Sequence, residues 1–460
     1  MSATSPGAPS APRRTQILLA STLYGAATLA AALDDEALPA ADRRLLLVCN
    51  NAATPETTPG LTEMAGFQEL RGRFDEIRSW NETISPFHPG GWGPRPDDVV
   101  LWERYLRLTW GLGDDPVELV VESLQVNPAL AVCQIFTGAP VTVYADGLMS
   151  YGPTRNKLDP LVGTRVDGLL HLDLVPGLRP LLLTEFDVPA RTVATGTFLK
   201  VLGEITTASP ELSGVREGAA LLLGQYLSAL SILTAEEEEE LHLSMLRGAL
   251  ARGHRDVVFK PHPSAPARFS RRLEAEAEKL GVRLTVLDVP VLAEVVYERA
   301  RPALVVGCFS TALLTASAFY DLPTARLGTD MLLERLAPYE NSNRVPVTIV
   351  DALVPDLAAE PTAQPAPTGV AELTGLLEAV GYAMQHQIYP NLRPAAERYL
   401  AAHLTQRTWR YFKRRRLTVL GLPGAIPAQL AFIPRNQTVR AMARRARAVQ
   451  RRLKKRAAFS

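Results

Sequence analysis

Val257-Val258-Phe259-Lys260-Pro261-His262-Pro263-Ser264 runs an apolar, β-like stretch straight into a histidine held between two prolines. Proline fixes φ and restricts the residue before it, so the imidazole is presented at a strand's end on a stiff loop. The order strand, loop, helix recurs on both sides of this stretch. Upstream, Leu221–Leu223 reads as a strand, Gly224–Ser228 as a loop, and residues 236–253 as a helix that opens after Thr234 with five glutamates. Carboxylates favour the positive end of a helix, so that acidic run is expected to cap the helix and face water. Downstream, helix 266–280, strand 284–287, helix 291–300 and strand 303–306 lead to Gly307-Cys308-Phe309-Ser310-Thr311 and a helix over 312–320. Such repetition predicts a mainly parallel sheet with its active loops at the strands' C-terminal ends.

The first half carries the same rhythm. Strands are expected at Gln16–Ala20, Leu45–Cys49, Leu119–Val121 and Val141–Tyr144, and helices at 62–74, 97–111 and 127–136. Apolar residues at helical spacing over 98–110 make Trp102 and Trp110 packing residues. Arg13-Arg14 followed by the uncharged stretch Ile17–Leu33 imitates a signal peptide. Ser21, Thr22, Tyr24, Gly25 and Thr28 interrupt that stretch, and a second strand follows at βαβ spacing, so it reads as a buried βα unit. No other stretch approaches the length of a membrane span.

The expected fold class is therefore α/β, two Rossmann-like domains facing a central cleft, with the boundary within 203–218. Residues 1–14 form a leader, 15–210 an N-terminal domain, 211–388 a C-terminal domain, and 389–460 a helical, strongly basic tail. Residues 354–369 read as a loop, and helical segments at 370–388 and 394–415 are expected to pack back across the domains.

At 460 residues, 47% hydrophobic and 21% charged, the chain is globular rather than disordered. Cys49, Cys133 and Cys308 are odd in number and far apart, which fits buried thiols better than a disulfide framework. With no CxxC pair and no close histidine pair, a metal-free mechanism is the default. The net charge of +1 hides an asymmetry: Arg407–Ser460 holds sixteen Lys or Arg and no Asp or Glu, leaving the preceding residues at −15. Such a tail suits an anionic membrane surface or a polyanionic polymer, each basic residue near an anionic bilayer being worth about 1 kcal/mol. It lacks regularly interleaved aromatics, so nucleic acid is not the expected partner.

Two further segments carry chemistry. Val141–Tyr144 ends in Ala145-Asp146-Gly147, where a strand end would set a carboxylate at the cleft and glycine would permit a tight turn. Read alone, Asp-Gly is also an ordinary turn signal. Ser310-Thr311 puts two hydroxyls at a helix N-terminus, suited both to capping and to binding phosphate.

In this order, Ala145-Asp146-Gly147, His262-Pro263 and Ser310-Thr311 resemble the marks of the bacterial sialyltransferases, most closely the capsular α-2,8-polysialyltransferase family and its lipooligosaccharide relatives. The likeness runs from about residue 15 to 330 and includes Leu222–Gln225. It implies a glycosyltransferase-B fold and a metal-independent, inverting transfer of sialic acid or a related nonulosonate from CMP-sialic acid, the donor substrate, with no cofactor. The acceptor would be a glycan in cell-surface or capsule polysaccharide synthesis at the cytoplasmic membrane face, where the basic tail would hold the protein peripherally. By the same resemblance Asp146 is the general base and His262 assists the departing phosphate. Lys260, Pro263, Ser310, Thr311, Gly224 and Gln225 lie at the donor, and Glu294 is a ribose ligand or a plain helix-surface glutamate. One departure stands out, since the family's first acidic position is Ala145 here. If the base belongs at that position, the chain is slow, altered in acceptor or inactive; if Asp146 is the base, nothing is missing. The competing readings are a two-domain transferase using another nucleotide-activated donor for wall or capsule polymer, and an inactive nucleotide-binding scaffold at the membrane.

Overall fold

The apolar run at residues 16–20 sits inside a seven-stranded parallel sheet with every residue of its strand buried. Strands covered on both faces read as continuous apolar runs rather than alternating ones, which is why the sequence marks this strand so clearly. A computed structural model describes residues 13–262, 265, 268–287, 289–359 and 368–426. The chain divides into two compact units, Met1–Tyr399 and Leu400–Ser460.

The first unit contains two sheets, both parallel throughout. The first holds β1 (Thr15–Ala20), β2 (Arg43–Val48), β3 (Glu76–Ser79), β4 (Val117–Val121), β5 (Val141–Ala145), β6 (Val166–Leu172) and β7 (Ala190–Val193), in the order 3-2-1-4-5-6-7. The second holds β8 (Ala220–Leu223), β9 (Asp256–Lys260), β10 (Arg283–Val286), β11 (Leu304–Gly307) and β12 (Thr324–Arg326), in the order 10-9-8-11-12. Both are Rossmann-like orders. Each reverses direction once, between β1 and β4 and between β8 and β11, and the crevice outside the strand ends at such a reversal is where ligands bind in open α/β sheets.

The four first-half strands expected from sequence all form. β3, β6 and β7 do not announce themselves: β3 and β7 lie at the two edges of the sheet, and Asp167-Gly168 breaks the apolar run of β6. The stretch 62–74 yields only a short helix, Phe67–Arg71, because Gly66, at φ 86, starts it late. The helix Leu23–Asp34 is buried nearly all round, as its alanines allow, and packs against the helix Thr195–Ala208. Thr195–Ala208 also packs on the helix Ala293–Ala300 beyond the second sheet's β10. Phe198 lies edge-on to Tyr24 at 5.3 Å and to Phe319 at 6.1 Å, so one aromatic row ties the two halves together. After the second sheet the helix Val370–Gln385 returns to the first half, where Gln385 donates to the Arg155 carbonyl at 2.6 Å. Tyr389 lies beyond it, its hydroxyl 2.9 Å from Thr154 Oγ1.

The expected helix 394–415 is broken into Arg393–His403, a single turn at Thr408–Tyr411 and Arg414–Leu420. In the second unit, Thr408 Oγ1 accepts from the Thr405 amide at 2.8 Å, a local side-chain bond that competes with helix continuation. Most of the basic tail, residues 427–460, lies outside the described residues. All three cysteines are buried and unpaired. No described helix is long and apolar enough to cross a membrane.

Candidate active site

At the first sheet's reversal point, β1 ends in Ser21-Thr22 and Thr22 Oγ1 caps the helix Leu23–Asp34 by accepting from the Gly25 amide at 2.9 Å. β5 ends at Ala145 and delivers Asp146. A methyl group placed on Gly25 would meet Tyr144 Oη at 3.0 Å, Thr22 Oγ1 at 3.1 Å and Asp146 Oδ2 at 3.5 Å. Glycine is needed there for close approach, and it lets the Asp146 carboxylate settle against the first turn of that helix. Burial pushes the Asp146 carboxyl above the usual range. Glu122 follows β4 directly, and the Tyr144 hydroxyl, which donates to the Leu19 carbonyl at 3.0 Å, faces Glu122 Oε2 at 3.3 Å. Burial, then the charge of Asp146, lift Glu122 to about 7, against opposing hydrogen bonds from Ser21 and Tyr144.

The second sheet's reversal point is built as tightly. The Gly224 amide donates to the Lys260 carbonyl at 2.9 Å, and a side chain at Gly224 would lie 3.3 Å from the Pro261 backbone. Gln225 spans the gap between β8 and β11: its Oε1 accepts from the amides of Cys308 at 3.2 Å and Phe309 at 2.7 Å. Its acceptor is thus spent on holding the loop that presents Ser310 and Thr311. Ser310 caps the helix Thr311–Tyr320 by accepting from the Ala312 amide at 3.3 Å. His262 follows β9, solvent-exposed, with Tyr226 at 6.2 Å between ring centres. Desolvation, then the Lys260 charge, hold its imidazole below the usual value. Pro263 lies outside the described residues.

Glu294 is only 4% exposed, which removes the surface-glutamate reading. Burial lifts it to about 7, with the Lys260 charge opposing. The same burial pushes Lys260 down, with Glu294 opposing. The acidic run after Thr234 also differs from expectation at one position. Thr234 and Glu237 form a capping box as expected, whereas Glu238 is fully buried and accepts from the Leu227 amide at 2.6 Å and from the Ser228 amide at 2.8 Å.

The two halves meet through these loops. The Leu148 amide donates to Thr311 Oγ1 at 3.4 Å, and a methyl group on Gly147 would lie 3.2 Å from that oxygen. Tyr24 Oη is 3.3 Å from Thr315 Oγ1, and its proton is held by burial, then by the charges of Glu294 and, less strongly, Asp146. The structure therefore brings the loop that follows Asp146 to Thr311 and Tyr24 to Thr315, while the charges of Glu294 and Lys260 act on each other. His262 belongs with Tyr226, Lys260 and Glu238. Sequence reading missed Glu122, Tyr24 and Glu238. Glu122 had a signal, a carboxylate directly after a parallel strand, which is the feature that singled out Asp146. A cavity of about 840 Å³ opens along the ends of β2 and β3, lined among others by Cys49, Asn50, Asn81 and His88. Among the described residues no three His, Cys, Asp or Glu side chains gather as a metal-binding group.

Two all-parallel Rossmann-like halves joined through their strand-end loops define a protein of the glycosyltransferase-B fold. The chain belongs to the alpha-2,8-polysialyltransferase (POLYST) family, whose model matches residues 16–329. No curated protein sequence matches it. Similar solved structures include MurG from Acinetobacter baumannii, at 10% identity and a TM-score of 0.38 over 84% of this chain and 95% of that one. A sialyltransferase from Photobacterium damselae matches at 11% identity and a TM-score of 0.38, over 72% of this chain and 95% of that one. The 2,6-sialyltransferase of Photobacterium sp. JT-ISH-224 matches at 12% and 0.38, over 73% and 75%.

Proposed function

We propose that the protein transfers sialic acid, or a related nonulosonate, from a CMP-activated donor to a glycan acceptor in cell-surface polysaccharide synthesis. Family membership supports the donor class. The observation that carries the reading is the contact of the loop after Asp146, Gly147 and the Leu148 amide, with Thr311 at the capped helix N-terminus of the other half. Asp146 takes the proton of an acceptor hydroxyl. The hydroxyl oxygen bonds to the anomeric carbon as the bond to the CMP phosphate oxygen breaks, and its electron pair leaves with CMP. General-base assistance of this kind is worth about 10²–10⁴-fold. Ser310, Thr311 and the helix N-terminus behind them meet the phosphate, placing fixed dipoles where charge develops. His262, its pKa lowered, awaits the donor as a neutral imidazole whose N–H hydrogen-bonds the phosphate. Lys260 adds positive charge, and Glu294 accepts from the donor's ribose. Gly224 and Gln225 shape the loop. On this reading residues 15–210 form the acceptor side and 211–388 the donor side, while the basic residues of 389–460 hold the protein to an anionic membrane face or to the growing glycan.

The test is CMP release from CMP-sialic acid by the purified chain, with chelator present and a His262→Ala control. Release that requires His262 is the expected result. No release and no CMP binding by calorimetry would point to another activated donor, and binding without release to a scaffold or a missing acceptor.

A further inference from the structure

We propose that Glu122, at the end of β4, is the second carboxylate of the site and takes up the acceptor's proton with Asp146 as a pair. This rests on the reading of Asp146 as the base. Side chains alternate across a strand. Val141, Val143 and Ala145 of β5 face the first half's apolar core, so Tyr144 and Asp146 lie toward the opposite side. The alanine at the motif's first position thus removes no carboxylate from the Asp146 side. The parallel register pairs Val121 with Val143, which carries Glu122 alongside Tyr144. Glu122 Oε2 and Asp146 Oδ2 then both lie around the Tyr144 hydroxyl, one 3.3 Å from Tyr144 Oη and the other 3.5 Å from the missing Gly25 methyl, which itself would lie 3.0 Å from Tyr144 Oη. That place is the outer end of the β1–β4 reversal, where a ligand is expected.

The groups that face Glu122 are Ser21 after β1, Cys49 after β2, and Tyr144 and Asp146 from β5. Burial, then Glu122, raise the Cys49 thiol to about 12, so it stays a neutral neighbour. Burial also keeps the Tyr144 proton in place. The charge that acts on Glu122 is Asp146, and two carboxylates so placed titrate as a pair. With Glu122 ionised, Asp146 becomes the stronger base. The proton leaving the acceptor hydroxyl resides on the pair, one negative charge remains, and the O–H electrons enter the new bond to the anomeric carbon.

The test has two readouts on the full chain. Carboxyl-¹³C glutamate NMR, with the Glu122 resonance assigned by its loss in E122Q, should show titration near 7 in the wild type. It should fall toward the ordinary glutamate range in D146N, because the like charge has gone. In CMP release, E122Q should lose about 10²-fold in kcat with donor KM nearly unchanged. The acid limb of its pH profile should move to lower pH, and E122D should restore part of the rate. If E122Q does not fold, E122D serves for both readouts. Ordinary titration of Glu122 in the wild type, no response to D146N, or a wild-type pH profile in E122Q would each overturn the proposal. A wild type that releases no CMP while Glu122 titrates near 7 and responds to D146N would leave the pair standing and sink the donor reading instead.

Discussion

Gly25 shows how one small residue can serve the site rather than the fold. It stands in the first turn of a buried helix, at a backbone conformation any residue adopts, so alanine should suit the helix and would ordinarily stabilise it by about 0.5–1 kcal/mol. The added methyl would crowd the Tyr144 hydroxyl and the Thr22 cap, and through Tyr144 the carboxylates beside it, while meeting Asp146 itself at ordinary contact distance. Gly25→Ala is therefore expected to melt within a few degrees of the wild type while CMP release falls at least about tenfold, the order of a displaced general base. A variant that loses stability and activity in step would show that the crowding acts on packing instead.

At the level of elements, the loops proposed to hold the donor depend on bonds made within the protein. Glu238 leaves the acidic face of its helix to accept from the Leu227 and Ser228 amides and from Ser228 Oγ, and so fixes the loop that follows β8. Removing the acceptor of a charge-assisted bond costs about 1.5–3 kcal/mol. Glu238→Ala should lower the urea midpoint accordingly and raise donor KM more than it lowers kcat, because the loop carries Gly224 and Gln225 rather than the base. An unchanged midpoint would mean that water replaces these bonds without loss. Gln225 acts in the same way on the Cys308–Phe309 backbone, which leads into Ser310 and Thr311.

For the molecule as a whole, buried ionisable groups set a pH dependence of known sign. Glu122 and Glu294 have folded pKa values raised to about 7 from 4.5, so each contributes stability that is full below 4.5 and lost as pH rises through 7. His242 is lowered to about 4 by burial, so its contribution is present above 6.5 and lost as pH falls through 4; His171, His254 and His262 are lowered in the same direction. The two sets oppose each other between pH 4.5 and 6.5, and above 6.5 only the loss from the carboxylates continues, so the curve of melting temperature against pH should fall from about pH 6.5 upward. E294Q should flatten the alkaline side of that curve, and an unaltered curve would mean that Glu294 is ionised at little cost. The basic tail gives a second prediction at this scale. Removing residues 435–460 should weaken binding to anionic vesicles at low salt and matter little at high salt, since screening acts over about a Debye length. Equal binding by both chains at low salt would remove the tail from that role.

Much of this was legible in the chain itself. Continuous apolar runs mark strands buried on both faces, and Asp146, His262 and Ser310-Thr311 each follow such a run, so the class of fold and the ends of its strands could be read from local pattern. The edge strands β3 and β7 could not, because an edge strand need not carry a buried run. What only the tertiary structure decided is which strand ends meet. Register brings Glu122 beside Tyr144 and turns Ala145 toward the core, and the packing of two sheets brings Thr311 to Gly147 and Tyr24 to Thr315. Those pairings join residues far apart in sequence, and local propensity carries no term for them; the order of the strands, and the face each side chain takes, supplies it.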